Sequence, residues 1–174
     1  MKKRSFLAWS GAALLGSKAQ AQSKFPERPI RLVVPYAPGG TMDIIGRLLG
    51  QKIAPVIGQN LFVDNRAGAN GNLGSAWVAR QQPADGYTIV QCSIGSCAIN
   101  PSLYKKMPYD AASAFAPVSL VAELPLAMMV NPSVPAKSDK EFIALAKSQP
   151  GKLNYASSGP GTPYHMAGEL FKSM

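Results

Sequence analysis

The stretch Ile30-Arg31-Leu32-Val33-Val34-Pro35-Tyr36-Ala37-Pro38-Gly39-Gly40-Thr41-Met42-Asp43 constrains the chain more than any other. Its first half is apolar and β-branched at Ile30, Val33 and Val34, which predicts a buried strand over 30–36. A Pro/Gly turn follows. The turn opens an amphipathic helix over 41–57, with Thr41 as its cap and Asp43 in its first turn. Ile45, Leu48, Leu49, Ile53 and Val56 recur at helical spacing and define a core face, and Gly58 ends the helix. A strand that turns sharply into a helix aims unpaired backbone N–H groups above the turn, where the helix dipole favours an anion. An ordinary βα turn has the same ingredients, so these residues alone leave both readings open.

The pattern continues. Leu61-Phe62-Val63 predicts a second strand, and the Gly/Asn-rich loop 64–74 leads into a helix over 73–81. Pro83-Ala84-Asp85-Gly86 is a turn, and 87–91 predicts a third strand. Alternating strands and helices imply an α/β fold with a parallel sheet. Ser93-Ile94-Gly95-Ser96 lies just past the third strand, at the sheet edge where ligands bind in such folds. Beyond it, a short helix is expected over 98–103 and strands over 115–122 and 126–130, with Met128-Met129 buried. Ser138-Asp139-Lys140-Glu141 is a capping box for a helix to about 148, whose core side is Phe142, Leu145 and Ala146. A strand over 153–156 then enters Ser157-Ser158-Gly159-Pro160-Gly161-Thr162-Pro163, where Thr162 caps a last helix carrying His165. The chain thus holds two strand–Gly turn–helix anion cradles, which together would clamp a small anion.

Composition narrows the partners. Lys2-Lys3-Arg4, the apolar run 6–15 and Ala19-Gln20-Ala21 read as a secretory signal peptide over 1–21, cleaved after Ala21. Removing it takes four of the 18 basic residues and leaves 14 against nine acids, a net of +5. Those basic residues are scattered, with no stripe interleaved with aromatics, so nucleic acid is not an expected partner. Cys92 and Cys97 are the two cysteines. In an oxidising compartment their spacing leaves a disulfide and two free thiols equally open. No cofactor is called for, and two cysteines with one distant histidine lack metal-ligand spacing.

A family resemblance emerges from several stretches taken together. They are the turn 36–43, Asn65-Arg66-Ala67-Gly68-Ala69-Asn70-Gly71-Asn72-Leu73-Gly74, Asp85-Gly86-Tyr87-Thr88 and Ala98-Ile99-Asn100-Pro101-Ser102-Leu103-Tyr104. Asn154-Tyr155-Ala156-Ser157-Ser158-Gly159-Pro160-Gly161-Thr162 and His165-Met166-Ala167-Gly168-Glu169-Leu170-Phe171 complete the set. The chain resembles the periplasmic solute-binding proteins of tripartite tricarboxylate transporters, the Bug family. The resemblance implies a two-lobed, type II Venus-flytrap fold and no enzymatic activity. It implies a small carboxylate ligand (dicarboxylate, tricarboxylate, amino acid or aromatic acid) passed to membrane permease subunits, and a monomer at full length. Lobe 1 would occupy 22–123, and 124–174 would begin lobe 2.

By that resemblance, Ala37, Gly39, Gly40, Thr41 and Asp43 hold one carboxylate through backbone N–H groups and ordered water. Tyr36 flanks the ligand, Ser93 lines the cleft, and Ser157, Gly161, Thr162 and His165 contribute from lobe 2. Two features depart from the family. Cys92 and Cys97 stand where small or polar residues are expected and would tune ligand choice if they line the cleft. The sequence ends at Met174, inside a helix, whereas family members are considerably longer, so a truncated member with an incomplete second lobe is expected.

Two other functions compete. Ser157 or Ser158 with His165 could serve as nucleophile and base of an exported hydrolase, but the G-x-S-x-G elbow is missing. A sensor or interaction protein would keep the fold and lose ligand affinity. Among isolated residues, Trp77 reads as core packing, and Arg66 as an anion contact or a structural ion pair.

Overall fold

The computed structural model describes residues 24–174, so the expected signal peptide lies outside the described residues. The elements are β1 (Ile30–Val34), α1 (Thr41–Ile57), β2 (Leu61–Asn65), α2 (Asn72–Gln81), β3 (Thr88–Val90), α3 (Asn100–Leu103), α4 (Asp139–Ser148) and α5 (Pro163–Ser173). A π-helical turn, Gly95–Ile99, runs directly into α3. Among the described residues, no helix is long and apolar enough to cross a membrane.

β1 is the centre of a parallel sheet ordered β2-β1-β3. Its register pairs Val34 with Asn65 on one side and Val33 with Val90 on the other. Being flanked on both sides, β1 is buried almost throughout, and Leu32, Val33 and Val34 form the core with Ile30. An apolar run without alternation is what such a strand requires. The expected strand 30–36 ends two residues early, because Pro35 and Tyr36 already belong to the turn.

α1 has its expected bounds, but its cap lies one residue earlier than expected. Gly40 is the N-cap, in extended backbone and with no side-chain cap, and Thr41 is the first helical residue. The core face is also rotated. Asp43, Gly46 and Gly50 are buried, while Leu48 and Val56 are exposed. Close approach to the sheet explains the rotation. A Cβ on Gly50 would lie 2.7 Å from the Leu61 carbonyl oxygen, and one on Gly46 would lie 3.1 Å from Val34. The helix packs on its glycines, so the large apolar residues cannot all face inward.

The chain past Phe115 differs from expectation. Residues 115–122, 126–130 and 153–156 form no strand, and Met128 and Met129 are exposed. Their residue types suit strands, but a strand needs a hydrogen-bonding neighbour, and the sheet ends at β2 and β3. The helices do form. Ser138 Oγ accepts from Glu141 N–H at 3.3 Å, and Glu141 reaches back to Lys137 N–H at 2.7 Å. Phe142 of α4 stacks on Phe171 of α5, with ring centroids 5.9 Å apart.

Candidate functional site

The sheet order changes direction at β1: the chain leaves β1 toward β2, then crosses back to β3 on the other side. In open α/β sheets the crevice at the carboxyl ends of the strands, where the order reverses, is the place ligands occupy. The loops that border it here are 35–40, after β1, and 91–97, after β3. They meet through side chains. Tyr36 Oη lies 2.5 Å from Ser93 Oγ and donates to the Asn70 carbonyl oxygen at 3.3 Å. Burial holds the Tyr36 hydroxyl above its ordinary pKa, against the opposing pull of Ser93 and Ser96. The hydroxyl remains protonated at neutral pH and can donate.

Glycines make room for this hydroxyl. A Cβ on Gly71 would lie 3.1 Å from Tyr36 Oη, and one on Gly95 would lie 3.3 Å from it. Gly71 also has a φ of +88°, which a side chain would strain. Beneath Tyr36 sits an amide network. Asn70 donates to Asn100 Oδ1 at 2.9 Å. Asn100, fully buried, donates to the Asn70 carbonyl oxygen at 3.0 Å and to Asn72 Oδ1 at 2.8 Å. Tyr109 closes the network, donating to the Ser96 carbonyl oxygen at 2.7 Å. Every polar group of Asn100 is satisfied, so the loops are fixed relative to one another.

The turn after β1 is braced from behind. Asp43 Oδ2 accepts from Gly39 N–H at 2.9 Å and from Arg47 Nε at 3.0 Å, and Oδ1 accepts from Asn65 Nδ2 at 3.0 Å. Asn65 also donates to the Tyr36 carbonyl oxygen at 3.2 Å. These donors, Arg47 first, lower the Asp43 carboxyl to a pKa of about 2. Its charge is therefore matched by protein groups. The N–H groups of Gly40, Thr41 and Met42 open α1 and have no acceptor among the described residues. Ala37, Gly39, Gly40 and Thr41 are exposed.

At the second turn the Gly turn and the helix cap form, but the expected strand 153–156 before them does not. Thr162 Oγ1 accepts from His165 N–H at 3.3 Å and donates to the Gly159 carbonyl oxygen at 2.7 Å. Gly161 N–H points at His165 Nδ1, 3.4 Å away. Ser157 Oγ accepts from Gly159 N–H within its own turn, and no Ser–His hydrogen bond occurs among the described residues. This turn lies against the amide network beneath Tyr36. A Cβ on Gly161 would lie 2.6 Å from Leu103, 3.1 Å from Asn70 and 3.3 Å from Asn100.

Tyr36, Ser93 and Gly161 are thus drawn together through Asn70 and Asn100. Ser157 faces its own turn, and Asp43 faces its own helix start. Nothing local in the sequence marks Asn70, Asn100 or Ser96 as members of this network. Asn70 looked like a turn former, and it does sit at φ +50°, but its side chain also joins the two cradles. Cys92 and Cys97 are joined as a disulfide, with Cα atoms 6.1 Å apart. Arg66 takes the structural role: its Nε is 3.0 Å from Asp64, and its guanidinium lies 3.4 Å above the half-buried Trp77 ring.

Comparison with known proteins identifies the family. The pattern of the tripartite tricarboxylate transporter family receptor matches residues 45–174. A UPF0065 protein from the tcbD-tcbE intergenic region of Pseudomonas sp. strain P51 is 39% identical over 170 residues, covering 97% of this chain and 50% of that relative. Rpa4515 of R. palustris, solved with adipate, superposes with a TM-score of 0.80 at 39% identity, over 86% of this chain and 50% of that one. The periplasmic binding protein BugD gives 0.75 at 35% identity, over 86% and 49%. MatC from Rhodopseudomonas palustris, with bound malate, gives 0.72 at 32% identity, over 85% and 51%. The chain spans about half the length of the relatives it matches. It has the α/β fold of periplasmic binding proteins over that half, and it belongs to the tripartite tricarboxylate transporter receptor family.

Proposed function

We propose that this chain binds a small carboxylate, and that it does so as the extracytoplasmic receptor of a tripartite tricarboxylate-type transporter. The observation that carries the reading is the convergence of both Gly-turn cradles on the Asn70–Asn100 pair at the sheet's switch point. In this reading the N–H groups of Gly40 and Thr41 take one carboxylate, with Ala37 and Gly39 shaping the turn that aims them. Tyr36 and Ser93 flank the ligand's body. Gly161, Thr162 and His165 approach from the second cradle, and Ser157 holds that cradle's shape. Asp43 serves by bracing the turn, because its own oxygens are taken by Gly39, Arg47 and Asn65.

The adipate and malate held by two structural relatives support the ligand class. Export to the periplasm, cleavage near Ala21, residues 22–123 and 124–174 as two lobes, and delivery to membrane permease subunits all belong to the same proposal. The test is thermal unfolding of the protein against adipate, malate, citrate and an aromatic acid. A ligand at a hundred times its dissociation constant stabilises the folded state by about 2.7 kcal/mol. A transition that rises with one acid supports the reading. A cooperative transition unmoved by every acid in calorimetric titration as well would sink it.

A further inference from the structure

We propose that the Cys92–Cys97 disulfide is a positioning element of this site: it holds Ser93 and Ser96 beneath Tyr36, and carboxylate affinity falls when it is reduced. The inference rests on the carboxylate-binding reading above. The bridge closes the loop Ser93-Ile94-Gly95-Ser96, which follows β3 and whose last two residues begin the π-helical turn. Inside it the two serines hold each other. Ser96 N–H donates to Ser93 Oγ at 3.1 Å, and Ser93 N–H donates to Ser96 Oγ at 3.3 Å. Cys97 N–H donates to the Ser93 carbonyl oxygen at 3.0 Å. Ser93 Oγ is thereby set against Tyr36 Oη, and the Ser96 carbonyl oxygen against Tyr109 Oη.

The loop has little slack. Gly95 and Ser96 are buried, and Gly95 sits against both Asn70 and Tyr36. The π-helical turn, a rare geometry, begins inside the bridged loop at Gly95. The bridge ties Cys97, in the middle of that turn, to Cys92, two residues past β3, and so limits how far Ser93 can move from Tyr36. Cys92 is exposed, so a soluble reductant reaches the bridge. A dithiol supplies the two electrons and two protons: its own sulfurs join as a disulfide, and Cys92 and Cys97 become thiols.

The experiment titrates malate and adipate calorimetrically into the purified oxidised protein, the dithiol-reduced protein and the Cys92→Ser/Cys97→Ser variant. Tyrosine side-chain NMR is recorded on the same samples, with the Tyr36 signal assigned from Tyr36→Phe. The expected loss on reduction is about three- to tenfold in affinity, the equivalent of one net hydrogen bond. The Tyr36 signal moves with it, while that of Tyr155 stays. Equal affinity in oxidised and reduced protein overturns the inference and leaves the carboxylate reading standing. No binding by the oxidised protein overturns both. Global unfolding on reduction also overturns the inference, because the bridge would then hold the whole fold and not the loop.

Discussion

Residues 30–115 and residues 116–174 are built from similar apolar runs and reach different ends. In the first region every strand has a neighbour, and Leu32, Val33 and Val34 are buried. In the second, 116–130 has no regular secondary structure and is exposed, with Val118 83% and Met129 90% accessible. The lesson is that β-branched sequence is permission to form a strand and not a cause of one. The cause is a partner edge in register, which β1 has on both sides. Helices need no such partner for their backbone, which is why α4 and α5 form where the strands do not.

The same substitution in the two regions tests this contrast most strongly. Val33→Ala deletes methyl groups from a fully buried site and is expected to cost about 2–3 kcal/mol. Val118→Ala is expected to fall within about 0.5 kcal/mol of the parent. Urea unfolding of both variants measures the difference. Equal costs would mean that 116–130 is packed in solution, and the contrast would fail.

Asn100 and Asn131 offer the next comparison. Asn131 only organises its own exposed turn, accepting from Ser133 N–H at 3.0 Å. Asn100→Ala leaves the Asn70 and Asn72 side chains without their buried partner and is expected to cost about 1–3 kcal/mol. Asn131→Ala is expected to cost a few tenths, about the ±0.5 kcal/mol of an exposed site. In the binding assay only Asn100→Ala should also weaken carboxylate affinity. If it destabilises without weakening affinity, the amide network supports the fold alone.

A smaller effect separates the two regions by pH. Asp43 is depressed to about 2, so the stability it adds is complete above the ordinary carboxylate range. That contribution is lost as pH falls from about 4 toward 2, when the folded carboxyl protonates. Unfolding of the parent and Asp43→Asn should therefore converge at the acid end of that window. Glu169 is also lowered, first by the Tyr155 hydroxyl and then by Lys172, but Glu169 is only half-buried and both partners are exposed. Glu169→Gln should leave the acid limb almost unchanged. A reversal of the two variants would place the acid-sensitive contact in α5.

The first region was largely legible in sequence because its signals are local. The switch from strand to helix at Pro38-Gly39-Gly40 acts within a few residues, and the same is true of the only second-region features that sequence marks, the Gly turn at 159–161 and the caps Ser138 and Thr162. The rotated face of α1 was not legible. Counting apolar residues at helical spacing favours Leu48 and Val56, whereas contact distance favours Gly46 and Gly50, and only the folded sheet reveals the second. Asn70 and Asn100 were hidden for a similar reason. They stand 30 residues apart, and nothing local in either marks it as the other's partner. Cys92 and Cys97 fall between these cases: the spacing allows a bridge, and the folded loop between them, closed by Cys97 N–H on the Ser93 carbonyl oxygen, has its Cα atoms 6.1 Å apart.

The smallest effect asks whether the second region has any packing of its own. Phe142 and Phe171 stack at 5.9 Å, yet neither α4 nor α5 has a buried residue. An aromatic pair contributes about 0.5–1.5 kcal/mol beyond its area in double-mutant cycles. Phe142→Ala, Phe171→Ala and the double variant should show coupling at the lower end of that range, because both rings are only half-buried. The useful readout is amide exchange, since the two helices can open without unfolding the sheet. Faster exchange confined to α4 and α5 would identify a separate, weakly held unit. Exchange that rises equally in β1 would mean the aromatic stack is coupled to the sheet, most directly through Gly161 against Asn70 and Asn100. The two cradles would then be mechanically one.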